Sequence, residues 1–182
     1  PVLVNTILWN NSPDEIYNSS PPDSGSITVS YSDVQGGLDS IGLPNGGTIV
    51  WGEGNIDVDP MFVDTTNGNY HLLASSQCIN AGHPDSTDSD GTIADIGANP
   101  YLNSYNGPTW YITEDGNDST ATGASDDPFR SIQAGINFSS DADSVTVAAG
   151  TYVENINFRG RKIKVAGADR ETTIIDGDSN GT

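Results

Sequence analysis

The chain has 182 residues, enough for one large domain or two small ones. Only 34% of them are hydrophobic, while Gly (21) and Pro (10) are frequent, a composition of many turns and short strands rather than long helices. The net charge is -19 and unevenly spread: residues 1–129 hold 18 Asp and Glu and no Lys or Arg, while all six basic residues lie from Arg130 onward. Such a surface repels nucleic acid and anionic membrane, and no apolar run is long enough to span a bilayer, so neither nucleic-acid binding nor membrane insertion is expected.

Residues 1–10 carry two short apolar runs, Val2-Leu3-Val4 and Ile7-Leu8-Trp9, split by Asn5-Thr6. A strand, a polar bend and a second strand is how one coil of a β-solenoid reads. Residues 12–26 are polar and Pro-containing and predict a loop. Ser26 to Val34 alternates and predicts a strand, broken at Gly36-Gly37; residues 38–48 predict another loop and Thr48–Trp51 a short strand. Pro60 argues against a central antiparallel ladder position in the next segment. Tyr70–Leu73 follows the Asn67-Gly68-Asn69 turn as a strand-like piece, residues 82–92 are a polar acidic loop, and 101–108 reads as a linker.

Trp110–Thr113 begins again as a strand. A helix is predicted over residues 128–138, with Asp127 as N-cap, Pro128 at the first helical position, and Phe129, Ile132 and Ile136 on one apolar face that Gly135 weakens slightly. Three strands then recur at about one coil's spacing, Ser144–Ala148, Lys162–Ala166 and Thr172–Asp176, which is the period of a solenoid. A short amphipathic helix ahead of stacked strands covers apolar core and unpaired edge groups at an open end. The expected fold class is therefore all-β, a parallel β-helix with one short capping helix.

Two stretches resemble the right-handed parallel β-helix proteins of the pectate-lyase-like superfamily, above all large secreted bacterial and archaeal surface proteins. An opening pattern runs through Trp110-Tyr111-Ile112, Gly116-Asn117-Asp118, Pro128-Phe129, Ser131-Ile132-Gln133, Gly150-Thr151-Tyr152 and Glu154-Asn155-Ile156. A closing pattern runs through Asn55–Asp64, Tyr70-His71-Leu72, Cys78–Gly82, Asp88–Gly91 and Asp95-Ile96-Gly97. The ending precedes the beginning. This order divides the chain into closing coils (1–100), a linker (101–108) and an opening segment (109–182), and it suggests one unit of a longer array. Joining Thr172–Thr182 to Pro1–Trp9 would read as one run of coils. The expected partners are copies of the same chain, placed head to tail through Pro1, Val2, Leu3, Val4, Ile7 and Leu8 on one side and Thr172, Ile174 and Ile175 on the other. An open-ended contact of this kind builds filaments. The expected role is an extracellular or cell-surface scaffold, with surface polysaccharide as a further partner.

The resemblance also implies an alternative, a carbohydrate-active module. Polysaccharide lyases of this superfamily use a basic residue beside a cation, but residues 1–129 offer no Lys or Arg, and Arg161 and Lys164 fall on different strand faces. A glycosidase needs two facing carboxylates, which 25 acids make impossible to pick out. His71 reads as a strand-surface residue and His83 as a turn residue, with no nucleophile motif for either. No catalytic residues are assigned. Calcium is the more credible chemistry: Asp85, Asp88, Asp90 and Asp95 flank small and Gly residues in one loop, and Asp115, Asn117, Asp118 and Asp126 lie in a second. The Glu that ends an EF-hand loop is missing from the first. Cys78 is the single cysteine, so no intrachain disulfide can form, and its apolar neighbours predict a buried thiol. Asn18, Asn117, Asn137 and Asn180 each head an N-x-S/T triplet. Trp9, Trp51 and Trp110 sit in strand patterns that favour packing over a sugar platform.

Overall fold

The computed structural model describes residues 1–17, 25–43 and 47–177. The triplets at Asn18 and Asn180 lie outside the described residues. The chain forms two compact units, residues 1–60 with 77–100 and residues 61–76 with 101–182.

The first unit is built of coils. Strand β1 (Val2–Val4) pairs in parallel with β4 (Ser26–Ser30), and β4 with β7 (Thr48–Trp51). A second stack pairs β2 (Ile7–Leu8) with β5 (Asp33–Val34), and a third pairs β3 (Ile16–Tyr17) with β6 (Ile41–Gly42). The third stack lies within segments whose polarity predicts loops; pairs this short carry no periodicity of their own. Register puts Leu3 on Val29 and Leu8 on Val34, so these side chains point inward, while Val2 and Val4 stack on Thr28 and Ser30 on the outer face. Ile27, Val29 and Val34 form the buried core, with Leu3, Leu8, Ile16, Ile49 and Trp51 packed against them.

The polar bend at Asn5-Thr6 is repeated in each coil. Asn5 and Tyr31 take positive φ at 53° and 47°, which turns the chain sharply between adjacent strands. The Ser32 hydroxyl accepts from the Thr6 amide at 3.2 Å, and Asn55 Oδ1 accepts from the Ser32 amide at 3.1 Å, so each corner satisfies the one before it. Residues 77–100 pin to the same corner: Gly97 N–H donates to the Asn5 carbonyl, and His83 N–H to the Asn5 side chain at 2.7 Å.

In the second unit β10 (Thr109–Ile112), β11 (Ser144–Val147) and β13 (Lys164–Gly167) stack in parallel, and β12 (Gly150–Val153) stacks with β14 (Thr173–Asp176). Inward positions line up as Trp110–Val145–Val165 and Ile112–Val147–Gly167. Between β10 and β11 lies α1 (Ile132–Phe138).

The helix begins four residues later than its sequence predicts. Phe129 remains extended and bridges Ile112 in parallel, donating its N–H to Tyr111 and accepting from Thr113. Asp127 closes its own turn by accepting from Thr122, and Ser131 takes the N-cap, accepting from Ala134 at 3.3 Å. Glu154 adds two further acceptors at the helix start, for the amides of Ile132 (2.7 Å) and Gln133 (2.9 Å). Burial at that contact pushes its carboxyl above the usual range despite both hydrogen bonds.

Residues Ile132 to Asn137 are all buried, so α1 is enclosed rather than amphipathic. Gly135 is what lets it approach the strands: a Cβ there would sit 2.8 Å from Val145 and 2.9 Å from Ile112. Its packing role outweighs its poor helix propensity. The helix's polar side chains are buried but paired. Asn137 donates to the carbonyls of Ala74 and Ser76, and Gln133 exchanges hydrogen bonds with the Asn157 backbone. Residues 62–72, expected to continue the coils, instead form an antiparallel hairpin of β8 (Phe62–Asp64) and β9 (Asn69–Leu72). Pro60 precedes that ladder and does not obstruct it.

Candidate assembly site

Two end coils, one in each unit, carry the residues expected to meet a neighbour. In the first unit, β1 and β2 each have a strand partner on one side only among the described residues. Leu3 and Leu8 are half-buried although they point into the core, while Val2 is 69% exposed on the outer face. In the second unit, β13 and β14 are likewise paired on one side only. Ile175 stacks on the buried Tyr152 yet is itself 46% exposed, whereas Ile174 faces outward beside it. Thr172 lies in the turn before β14, its carbonyl accepting from Gly150. Ile7 stacks on Asp33. Val165, absent from the sequence-derived set, is also an inward residue of an end coil. Its register to Trp110 could have been read from the solenoid period.

The acidic loops are built differently from a cage. Asp88 accepts from the Asp95 amide at 2.9 Å, Asp95 from Asn80 at 2.7 Å, and Asp90 from both the amide and the hydroxyl of Thr92. In the second loop Asn117 accepts from Ser119, and Asp118 from the amides of Arg130 and Ser131. Asp90 and Asn117 cap their own turns, the bonding Asp and Asn supply in tight loops, while Asp88, Asp95 and Asp118 tie their loops to amides 7 to 15 residues away. Asp85, Asp115 and Asp126 are exposed. Among the described residues no three His, Cys, Asp or Glu side chains converge as a metal site would require.

The candidate aromatic and basic groups are similarly accounted for. Trp110 is 2% exposed and donates from its indole to Asp143 at 3.0 Å. Arg161 donates to the Ile136 carbonyl near the end of α1, and burial lowers its guanidinium to about 10. His71 lies exposed on β9, and His83 meets Tyr31 edge to face at 4.8 Å. Asn137, which heads an N-x-S triplet, is fully buried.

Cys78 is fully buried, as its neighbours predict, and its thiol donates to Asp33 Oδ2 at 3.3 Å. Sequence reasoning missed Asp33. It pairs with Ile7 as the first residue of a two-residue strand, too short to show which face is inward. Its other oxygen accepts from the Val58 amide, and burial, aided by Asp57 and Asp59, pushes its carboxyl up from 3.8 to about 6. Because the folded chain holds this proton more tightly than the unfolded chain, the stabilisation is full below pH 3.8 and is lost as pH rises through about 6. Asp33→Asn removes the buried charge and is expected to gain on the order of 1–2 kcal/mol over wild type at pH 7, with no gain at pH 3.5. Denaturant titrations of both proteins at the two pH values check this.

Coils of parallel strands stacked in register around inward apolar columns, with a single short helix, define the class: this is a right-handed parallel β-helix protein. A family described as a protein of unknown function, DUF1565, matches residues 114–159, which run from the turn after β10 through α1 and β12; it is a family of right-handed β-helix proteins. No curated protein and no solved structure matches the chain.

Proposed function

We infer that this chain is a section of a β-helical filament or surface stalk, acting by assembly rather than catalysis, outside the cell or at its surface. The observation that carries the reading is the pair of end coils. Each exposes inward apolar side chains, Leu3 and Leu8 in one unit and Val165 and Ile175 in the other, beside strands paired on one side only among the described residues. A solenoid coil buries its interior only against another coil. In this reading the last coil of one copy is covered by the first coil of the next, whether by a covalent continuation or by strand stacking at ~4.8 Å per coil. The acidic loops take up calcium or other cations diffusely, relieving repulsion along the stalk, and present the surface to polysaccharide.

Negative-stain electron microscopy tests it, with and without a calcium chelator. Long fibres with an axial repeat matching one chain are the expected result, and their loss on chelation would give calcium a joining role. Isolated particles at every concentration would end the filament reading and direct attention to cleavage or binding of acidic polysaccharides.

A further inference from the structure

The first unit buries a carboxyl with no cation to meet it. Asp33 has no exposed surface. Residues 1–60 and 77–100 contain no Lys or Arg, and their one histidine, His83, packs on the Tyr31 ring. No ion pair reaches Asp33 among the described residues. The titratable groups that face it are two further carboxylates, Asp57 and Asp59, from the segment after β7, and the Cys78 thiol; β2, its strand partner, brings none. Desolvation and like charge both oppose ionisation there, and no opposite charge offsets them.

Cys78 belongs to a strap. Residues 77–100 double back on themselves, with Ile96 N–H donating to the Cys78 carbonyl and Gly82 N–H to that of Ala94. The strap lies directly against Ile7 and Asn5: a Cβ at Gly97 would fall 2.9 Å from the Ile7 side chain, and one at Gly82 2.9 Å from that of Asn5. Its fastenings are the two bonds at Asn5, from Gly97 and His83, and the thiol on Asp33. The Asn5 fastenings are neutral at any pH. Asp33 is the fastening that changes charge.

We propose that residues 77–100 are a proton-locked strap: protonated Asp33 holds them on the corner, and its ionisation lets them lift, baring the Cys78 thiol and the outer side of β2. The device stands apart from the filament reading, because every group it uses lies within the first unit. Its window follows from the raised carboxyl. The lock is full below pH 3.8, where Asp33 is protonated whether the strap is closed or open, and is lost as pH rises through about 6. Opening is local, so β4 and β7 keep their pairing.

The single cysteine makes the strap directly readable. Wild type is labelled with a pyridyl disulfide between pH 4 and 7.5, and each rate is divided by that of the urea-unfolded chain at the same pH, which removes the thiol's own titration. The divided rate is expected to rise roughly fiftyfold across this range. Asp33→Asn keeps an acceptor for the Val58 amide but cannot ionise. It is expected to flatten the profile and to label more slowly than wild type at pH 7.5. Asp88, within the strap, is also raised by burial, so a slope that survives in Asp33→Asn would belong to it and overturn the lock. Hydrogen exchange on wild type needs no variant. Corrected for intrinsic rates, the amides of His83 and Gly97 should lose protection over the same pH range while those of β4 and β7 keep it. A divided labelling rate that does not change with pH, or protection lost from β4 and β7 together with the strap, would also overturn the proposal.

Discussion

Phe129→Ala is expected to cost the second unit about 3–5 kcal/mol, the range for emptying a buried aromatic site that cannot collapse. Phe129 is fully buried. Its ring stacks on Trp110 with centroids 6.3 Å apart and 12° between planes, and on Phe138 at 5.3 Å and 19°, with Tyr101 edge-on to it at 6.5 Å. The backbone around the ring cannot close in, because Phe129 is itself hydrogen-bonded to β10 on both sides. Gly123 shows how tightly the site is made: at φ +80°, a Cβ there would fall 2.3 Å from the Phe129 ring. A loss of this size is a large share of the roughly 5–15 kcal/mol that holds a domain together, and should lower the melting temperature by about 15 °C or more. Phe129→Leu keeps most of the volume and should cost about 1.5 kcal/mol or less. Thermal melts followed by tryptophan emission, which reports on Trp110 beside the lost ring, check both. An alanine variant within ~1 kcal/mol of wild type would mean that the site refills, contrary to the packing.

Phe129 also marks where sequence patterning stops being informative. Its spacing to Ile132 and Ile136 is helical, and all three are buried, but burial of Phe129 comes from a β-bridge to Ile112. Periodicity identifies inward residues without saying which backbone carries them there. The coils themselves were legible because the strands Val2–Val4, Ser26–Ser30, Thr48–Trp51, Thr109–Ile112 and Ser144–Val147 alternate or run apolar, and Asn5-Thr6 interrupts such a run where the chain turns. The strands Ile16–Tyr17, Ile41–Gly42 and Gly150–Val153 were not: two are a single residue pair long, and the third opens on Gly in what reads as a turn. The hairpin at 62–72 was masked by a different effect, since its partner segments are adjacent in sequence and their pairing direction leaves no trace in composition. Of the assembly residues, Leu3, Leu8 and Ile175 stand inward on end coils as a coil reading requires, but Val2, Val4 and Ile174 face outward, a distinction only register makes. Acid spacing suggested calcium loops in the same way. The geometry shows the oxygens of Asp88, Asp90, Asp95 and Asp118 already accepting backbone amides.

The deepest departure from sequence logic is the polar face of α1, and it carries the second large effect. Asn137 lies at zero exposure, and replacing it by Ala is expected to cost about 3–4 kcal/mol although no charge and little volume is lost. Its amide nitrogen donates to Ala74 at 3.0 Å and Ser76 at 2.8 Å, while its oxygen accepts from Gln133 at 2.9 Å and Arg159 at 3.2 Å. Truncation removes the Asn137 partner from two buried carbonyls and two side-chain donors at once, and a buried polar group deprived of its hydrogen bond costs roughly 1–3 kcal/mol. The carbonyls belong to the segment that follows the β8–β9 hairpin, so the effect should be directional. Amide hydrogen exchange is expected to speed up first in residues 62–76, before the strands β10, β11 and β13 lose protection. Asn137→Asp separates the two halves of the network: its oxygens keep Gln133 and Arg159 satisfied, but it cannot donate to Ala74 or Ser76. Its carboxylate oxygen facing the Ala74 and Ser76 carbonyls should loosen the hairpin segment at least as much as Ala does. Equal, uniform loss of protection across the unit in both variants would show that Asn137 serves general packing rather than tying residues 74–76 to the helix.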